Sequence, residues 1–80
     1  MIFPMFEDVI VTVEQPVHNI RASDVGTVVE RHVVEGKEDG YSVEFFDMSG
    51  QTVTVLTLPA SQLRLPTNSD RPTVRAYNQR

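Results

Sequence analysis

Five short runs of β-branched and aromatic residues, each closed by glycine, proline or acidic turn residues, constrain this chain more than any other feature. Val9-Ile10-Val11-Thr12-Val13 is a first strand, ended by Glu14-Gln15-Pro16. The stretch from Pro16 to Asp24 has little periodicity and opens on a residue without an amide proton, so it is expected to be a surface loop. Val25 to Val34 resumes β-branched density, with Gly26 marking a bulge or a close backbone approach. A polar connection with two glycines, Glu35 to Gly40, leads into Tyr41-Ser42-Val43-Glu44-Phe45 as a hairpin. Asp47-Met48-Ser49-Gly50 is a second turn, its glycine suited to positive φ. Thr52 to Leu58 follows as a strand, then one 3₁₀ turn over Pro59 to Gln62 and a last short strand from Leu63.

Such strands in about 60 residues must hide their edges, and a small, strongly bent barrel is the economical way to do so. The expected fold is therefore all-β, a small SH3-like barrel of about five short strands over residues 1–66, with a flexible basic tail over 67–80. The chain has 80 residues and no cysteine. It buries only about 60 to 65% of its unfolded surface and stands on packing alone, without disulfides or thiolate metal sites. Val11, Val28, Val43, Phe45, Val53, Val55 and Leu63 are the expected core.

Charge divides the chain in two. Residues 1–66 carry ten acids against Arg21, Arg31, Lys37 and Arg64, a net of −6; residues 67–80 carry Arg71, Arg75 and Arg80 against Asp70, a net of +2. An acidic body repels phosphate backbones, which disfavours nucleic acid as a partner. Ordering fourteen tail residues costs roughly 20 kcal/mol at about 1.5 each, and needs on the order of 800 Å² of apolar burial. Val74, Ala76, Tyr77 and Pro72 fall short of that. No apolar run approaches the roughly 18 residues of a membrane span. The apolar opening Met1 to Phe6 lacks a basic flank and contains Pro4, which speaks against a signal peptide, and the expected location is the cytoplasm.

The residues Phe6-Glu7-Asp8-Val9, Asp24-Val25-Gly26-Thr27-Val28-Val29-Glu30, Tyr41-Ser42-Val43-Glu44-Phe45, Asp47, Gly50 and Leu58-Pro59-Ala60-Ser61-Gln62-Leu63-Arg64 together resemble a small bacterial family, domain of unknown function 4926. The resemblance covers residues 6 to 65. Ser23 stands where that family, and the KOW type of SH3-like barrel, would have glycine. The resemblance implies an SH3-like barrel without an established activity. It supplies no catalytic residues, and it suits a partner-binding or toxin-neutralising role beside an adjacent gene product.

The residues carry little chemistry of their own. His18 and His32 stand alone without cysteine, so no metal site is expected. The adjacent pairs Glu7-Asp8 and Glu38-Asp39 point apart on a strand or lie in solvent on a turn, and no serine has a nucleophile-elbow context. Neither catalysis nor a cofactor is expected. Peptide recognition of the proline-rich kind needs an aromatic-lined groove, and there is no tryptophan.

Two features point to a contact surface. If Phe45 faces inward, Phe46 faces outward, where a large apolar side chain marks an interface; the alternative is a strand twisted enough to bury both. The acids around the second and third strands, Glu30 and Glu44 among them, would steer a basic partner. The expected function is a non-catalytic protein-binding module, of the antitoxin or immunity-like inhibitor kind, with Glu30, Glu44, Phe46, Arg71 and Arg75 at the contact. The alternatives are a KOW-like nucleic-acid-binding barrel using the tail arginines, and an accessory or homo-oligomeric subunit assembled through Met1 to Phe6 or an open barrel edge.

Overall fold

The computed structural model describes residues 2–76. Five antiparallel strands form one sheet: β1 (Asp8–Val11), β2 (Val25–His32), β3 (Gly40–Phe46), β4 (Thr52–Pro59) and β5 (Leu63–Arg64), in the order β4-β3-β2-β1-β5. A 3₁₀ turn over Ala60–Gln62 carries the chain from β4 at one edge to β5 at the other, so the sheet wraps around its own core. This is the expected SH3-like barrel, and no described residue lies in an α-helix. Among the described residues, no helix is long and apolar enough to cross a membrane.

The bend has three local causes. In β2 an extra residue, Val29, falls between the pairings Val28 to Val43 and Glu30 to Ser42; in β4 an extra residue, Val53, falls opposite Phe45 and Phe46. Each bulge sharpens the local twist. The third cause is Gly26, paired with Val9 of β1. A side chain there would run into Val43 Cγ1 and come within 2.9 Å of Phe45 Cε1. Gly26 is thus a close approach rather than a bulge, and the bulge lies three residues further on.

Inward positions of β3 anchor the core: Tyr41 and Val43 are fully buried and Phe45 nearly so, together with Val9, Val11, Val28 and Leu63. The expectation for β4 is corrected. Val53 and Val55 are half exposed, and Leu56 and Leu58 are buried instead. Residues of one strand alternate between faces, so the residue absorbed at Val53 and the larger leucines set the opposite phase.

Two further core residues come from outside the strands. Phe3 is buried and packs edge-on against Tyr41, ring centroids 5.1 Å apart, while its amide donates to the Tyr41 hydroxyl at 3.1 Å. The opening segment thereby plugs the barrel with Phe3 and leaves Ile2, Met5 and Phe6 exposed. Ile20 is also buried, which corrects the reading of Pro16 to Asp24 as a plain surface loop. A 3₁₀ turn over Pro16–His18 and paired bonds between Gln15 and Ile20 fold this loop back onto the core.

Ser23 explains the glycine expected in its place. Its φ is 83°, in the left-handed region, where its amide donates to Val11 O at 2.7 Å. A side chain at such a φ costs about 1–2 kcal/mol, partly offset by the lower chain entropy of a non-glycine residue when unfolded. Ser23→Gly is expected to raise stability by up to about 1 kcal/mol in urea denaturation. Gly26→Ala should lower it by about 1–3 kcal/mol through overpacking, and Gly26→Val by more. Unchanged midpoints would contradict both placements.

Candidate functional site

The even-numbered positions of β3, Ser42, Glu44 and Phe46, lie on the outer face of the sheet, because Tyr41, Val43 and Phe45 fill the inner one. Glu44 pairs laterally with Thr27 and Val55, and Glu30 with Ser42, so Glu30, Glu44 and Phe46 share this face. Phe46 is 46% exposed, as the outward reading requires. Around it Met48 is exposed, and Val25, Val53 and Val55 are about half exposed. The glutamates are solvent-facing, and Glu44 accepts a hydrogen bond from the Thr52 hydroxyl.

Phe46 also borders an open groove of about 790 Å³. One wall is the sheet, with Ile10, Val25, Phe46 and Val53; the other is residues 66–75, including Arg71 and Arg75. Phe46, Arg71 and Arg75 thus meet at one groove, while Glu30 and Glu44 do not line it.

Residues 67–76 form neither helix nor strand, and polar contacts tie them down. Arg64 grips Asp70 through two nitrogens at 2.9 and 2.7 Å, and the Thr67 amide donates to the same carboxylate at 2.7 Å. Arg75 grips Asp24 likewise, at 3.1 and 2.5 Å, and also donates to Asn19 O at 3.0 Å. Under this strap Ile10, which points away from the main core cluster, is only 5% exposed. Arg71 donates to the carbonyls of Asn68 and Asp70. Both tail arginines proposed as contacts therefore have acceptors within the chain; Arg80 lies outside the described residues.

These pairs set the carboxylates' acidity. The Arg64 guanidinium, with the Thr67 amide, holds Asp70 well below the ordinary value of 3.8. Partial burial pushes Asp24 up, but the bonds from Arg75 and from the Arg21 amide outweigh it and leave Asp24 lowered. Asp47 is lowered by the Ser49 hydroxyl and the Gln51 amide, which it binds inside the turn closed by Gly50 at φ 87°.

One group has the spacing of a nucleophile and base. Ser42 Oγ lies 2.8 Å from His32 Nε2 and 3.0 Å from Thr57 Oγ1. The Glu30 carboxylate approaches that same nitrogen, at 3.9 Å, rather than the far ring nitrogen that an orienting acid would hold. The arrangement is a polar ladder linking β2, β3 and β4. Asp39 pairs with Arg31 at 2.7 Å, and Glu38 accepts from the Ser61 amide at 2.8 Å, so this acidic pair fastens the β2–β3 connection to the 3₁₀ turn before β5. No group of three or more His, Asp or Glu side chains among the described residues is placed to hold a metal ion.

A family model described as a domain of unknown function (DUF4926) matches residues 5–65. The chain belongs to this family. No curated protein and no solved structure matches it. The DUF4926 match spans all five strands and ends one residue past β5, so the strap lies beyond it, while one partner of each clasp, Arg64 and Asp24, lies within it.

The strap is what the sequence conceals in this DUF4926 domain. Its clasps join residues 51 apart in one case and 6 in the other, and ion pairs leave no periodic trace. The exposed Val53, Val55 and Met48 were legible only as apolar, not as outward. An NMR pH titration is expected to find Asp70 titrating well below 3.8, with Arg64→Ala returning it towards that value. Because the folded carboxyl is depressed, the clasp contributes fully above the unfolded Asp value and is lost as pH falls below it through the folded value. An Asp70 that titrates at the ordinary value in the intact chain would rule the clasp out in solution.

Proposed function

We propose that this domain is a non-catalytic protein-binding module, whose contact surface is the outer face centred on Phe46. The observation that carries this reading is the outward, half-exposed phenylalanine amid Val25, Met48, Val53 and Val55. A patch of large apolar side chains next to acids resembles the centre and rim of a recognition surface. Aromatic side chains of this kind supply a large share of binding energy where a partner excludes water around them.

The rim gives the partner its sign. Glu30, Glu44 and Asp47 lie on or beside this face, and the described charge of the body is strongly acidic. A basic protein is steered towards such a surface, and Arg64 and Arg75 of the adjoining groove are each paired with a carboxylate of the chain. An inhibitor of a basic, nucleic-acid-handling protein encoded by an adjacent gene fits this chemistry. Direct nucleic-acid binding fits it poorly, since Arg71 and Arg75 already have acceptors in the chain.

Co-expression of the untagged chain with the product of its neighbouring gene is expected to give a complex at micromolar concentration that weakens as salt rises. Phe46→Ala should weaken it by about 2 kcal/mol or more, as for a central aromatic contact, with the thermal midpoint nearly unchanged. A complex indifferent to Phe46→Ala, or none at any salt concentration, would refute this assignment.

A further inference from the structure

The two edges of the sheet are unlike. β5 is two residues long, carries Arg64 and runs on through Leu65 to Pro66, so it offers little to pair with. β4 runs eight residues, Thr52 to Pro59, without a charged side chain. It lies inside the longest charge-free stretch of the chain, residues 48–63. Among the described residues, the backbone from Thr52 to Pro59 hydrogen-bonds to no segment but β3. Edge strands of monomers are ordinarily blunted by lysine, proline, bulges or shortness. Here Pro59 closes one end and the bulge at Val53 twists the other, and the edge between them is open.

We propose that β4 pairs antiparallel with β4 of a second copy of this chain, about a two-fold axis at Val55, joining two sheets edge to edge. In that register Val55 faces Val55 on the outer face, and Val53 of each copy faces Thr57 of the other. All are β-branched, the residue type that stabilises cross-strand pairs.

Charge selects the occupant. Two copies of a chain with net charge −4 repel, and β4 is the edge on which no carboxylates are brought together. The nearest outer-face acid, Glu44, sits one strand in, opposite Val55. Across the pairing the two Glu44 backbones would be three strand spacings apart, about 14 Å, and their carboxylates, each bonded to its own Thr52, lie towards opposite ends of the paired strands. That separation exceeds the Debye length of about 8 Å at physiological ionic strength. Glu44 reaches β4 only at Thr52, at one end, so the middle of the edge around Val55 holds no acid for a basic partner. Head-to-tail pairing of β4 with β5 would have only two residues to use. One strand pairing buries less than the about 1,200 Å² of a standard interface, so the dimer is weak and concentration-dependent. The pairing is made by the backbone edge of β4; Val53 and Val55 border the Phe46 face, but Phe46 itself takes no part, and the dimer does not depend on the partner proposed above.

Sedimentation of the full chain from about 1 µM to about 1 mM at physiological salt is expected to show monomer converting to dimer. Val55→Lys sets like charges opposite each other at the axis while lying beside Glu44 within one copy, so the fold is retained, as a thermal melt would verify. It should weaken dimerisation about fivefold or more, and Thr57→Lys, a second edge variant, should weaken it too. Phe46→Ala should leave it intact. A wild-type chain monomeric throughout, an assembly larger than two, or dimerisation unaffected by both lysine variants would overturn the proposal.

Discussion

The close approach of β2 to the inner face of β3 is the contact on which this structure rests. Gly26 has no side chain, and Val43 and Phe45 take the space that one would fill. Without that approach the sheet could not curl enough for a small chain without disulfides to surround its own core. Tyr41, Val43 and Phe45 then serve as the floor onto which β1, β4 and β5 bring Val9, Val11, Leu56, Leu58 and Leu63. Phe3 closes the barrel from outside the sheet, donating its amide to the hydroxyl of the fully buried Tyr41. That bond matters because a buried phenol without a partner costs about 1–3 kcal/mol.

The curl also decides what is left outside. Bulges at Val29 and Val53 place Glu30, Glu44 and Phe46 on one face and turn Val53 and Val55 outward with them. An apolar, acid-rimmed face and an uncharged edge are thus consequences of the same distortions that close the core. The strap adds a third element beside them, fixed by charge-assisted bonds of Arg64 and Arg75 rather than by apolar burial. This accords with the small apolar content of residues 67–76, since two bidentate pairs can position a segment too polar to pack.

Much of the fold was legible because local and global preferences agree. β-branched runs became strands, Asp47 to Gly50 became a turn, and Phe46 turned outward because Phe45 turned in. The phase of β4 was not legible: Val53, Val55, Leu56 and Leu58 put apolar residues on both faces, and only the site of the extra residue decides between them. Phe3 and Ile20 lie in segments without periodicity, so their burial depends on tertiary partners alone. Ser23 shows the reverse case, where a family expectation of glycine found its reason in a φ of 83°. Of the candidate contact residues, Glu30, Glu44 and Phe46 share a face as strand alternation requires, whereas the intrachain acceptors of Arg71 and Arg75 required the folded strap.

The outward phase of β4 beside Phe46 is the claim on which the functional surface depends, and solvent paramagnetic relaxation of methyl-labelled protein tests it most directly. With a soluble nitroxide added at low protein concentration, the methyl groups of Val53 and Val55 should relax strongly and those of Leu56 and Leu58 weakly, with the Phe46 ring among the accessible groups. The opposite order, with Val53 and Val55 protected and the two leucines accessible, would contradict the account.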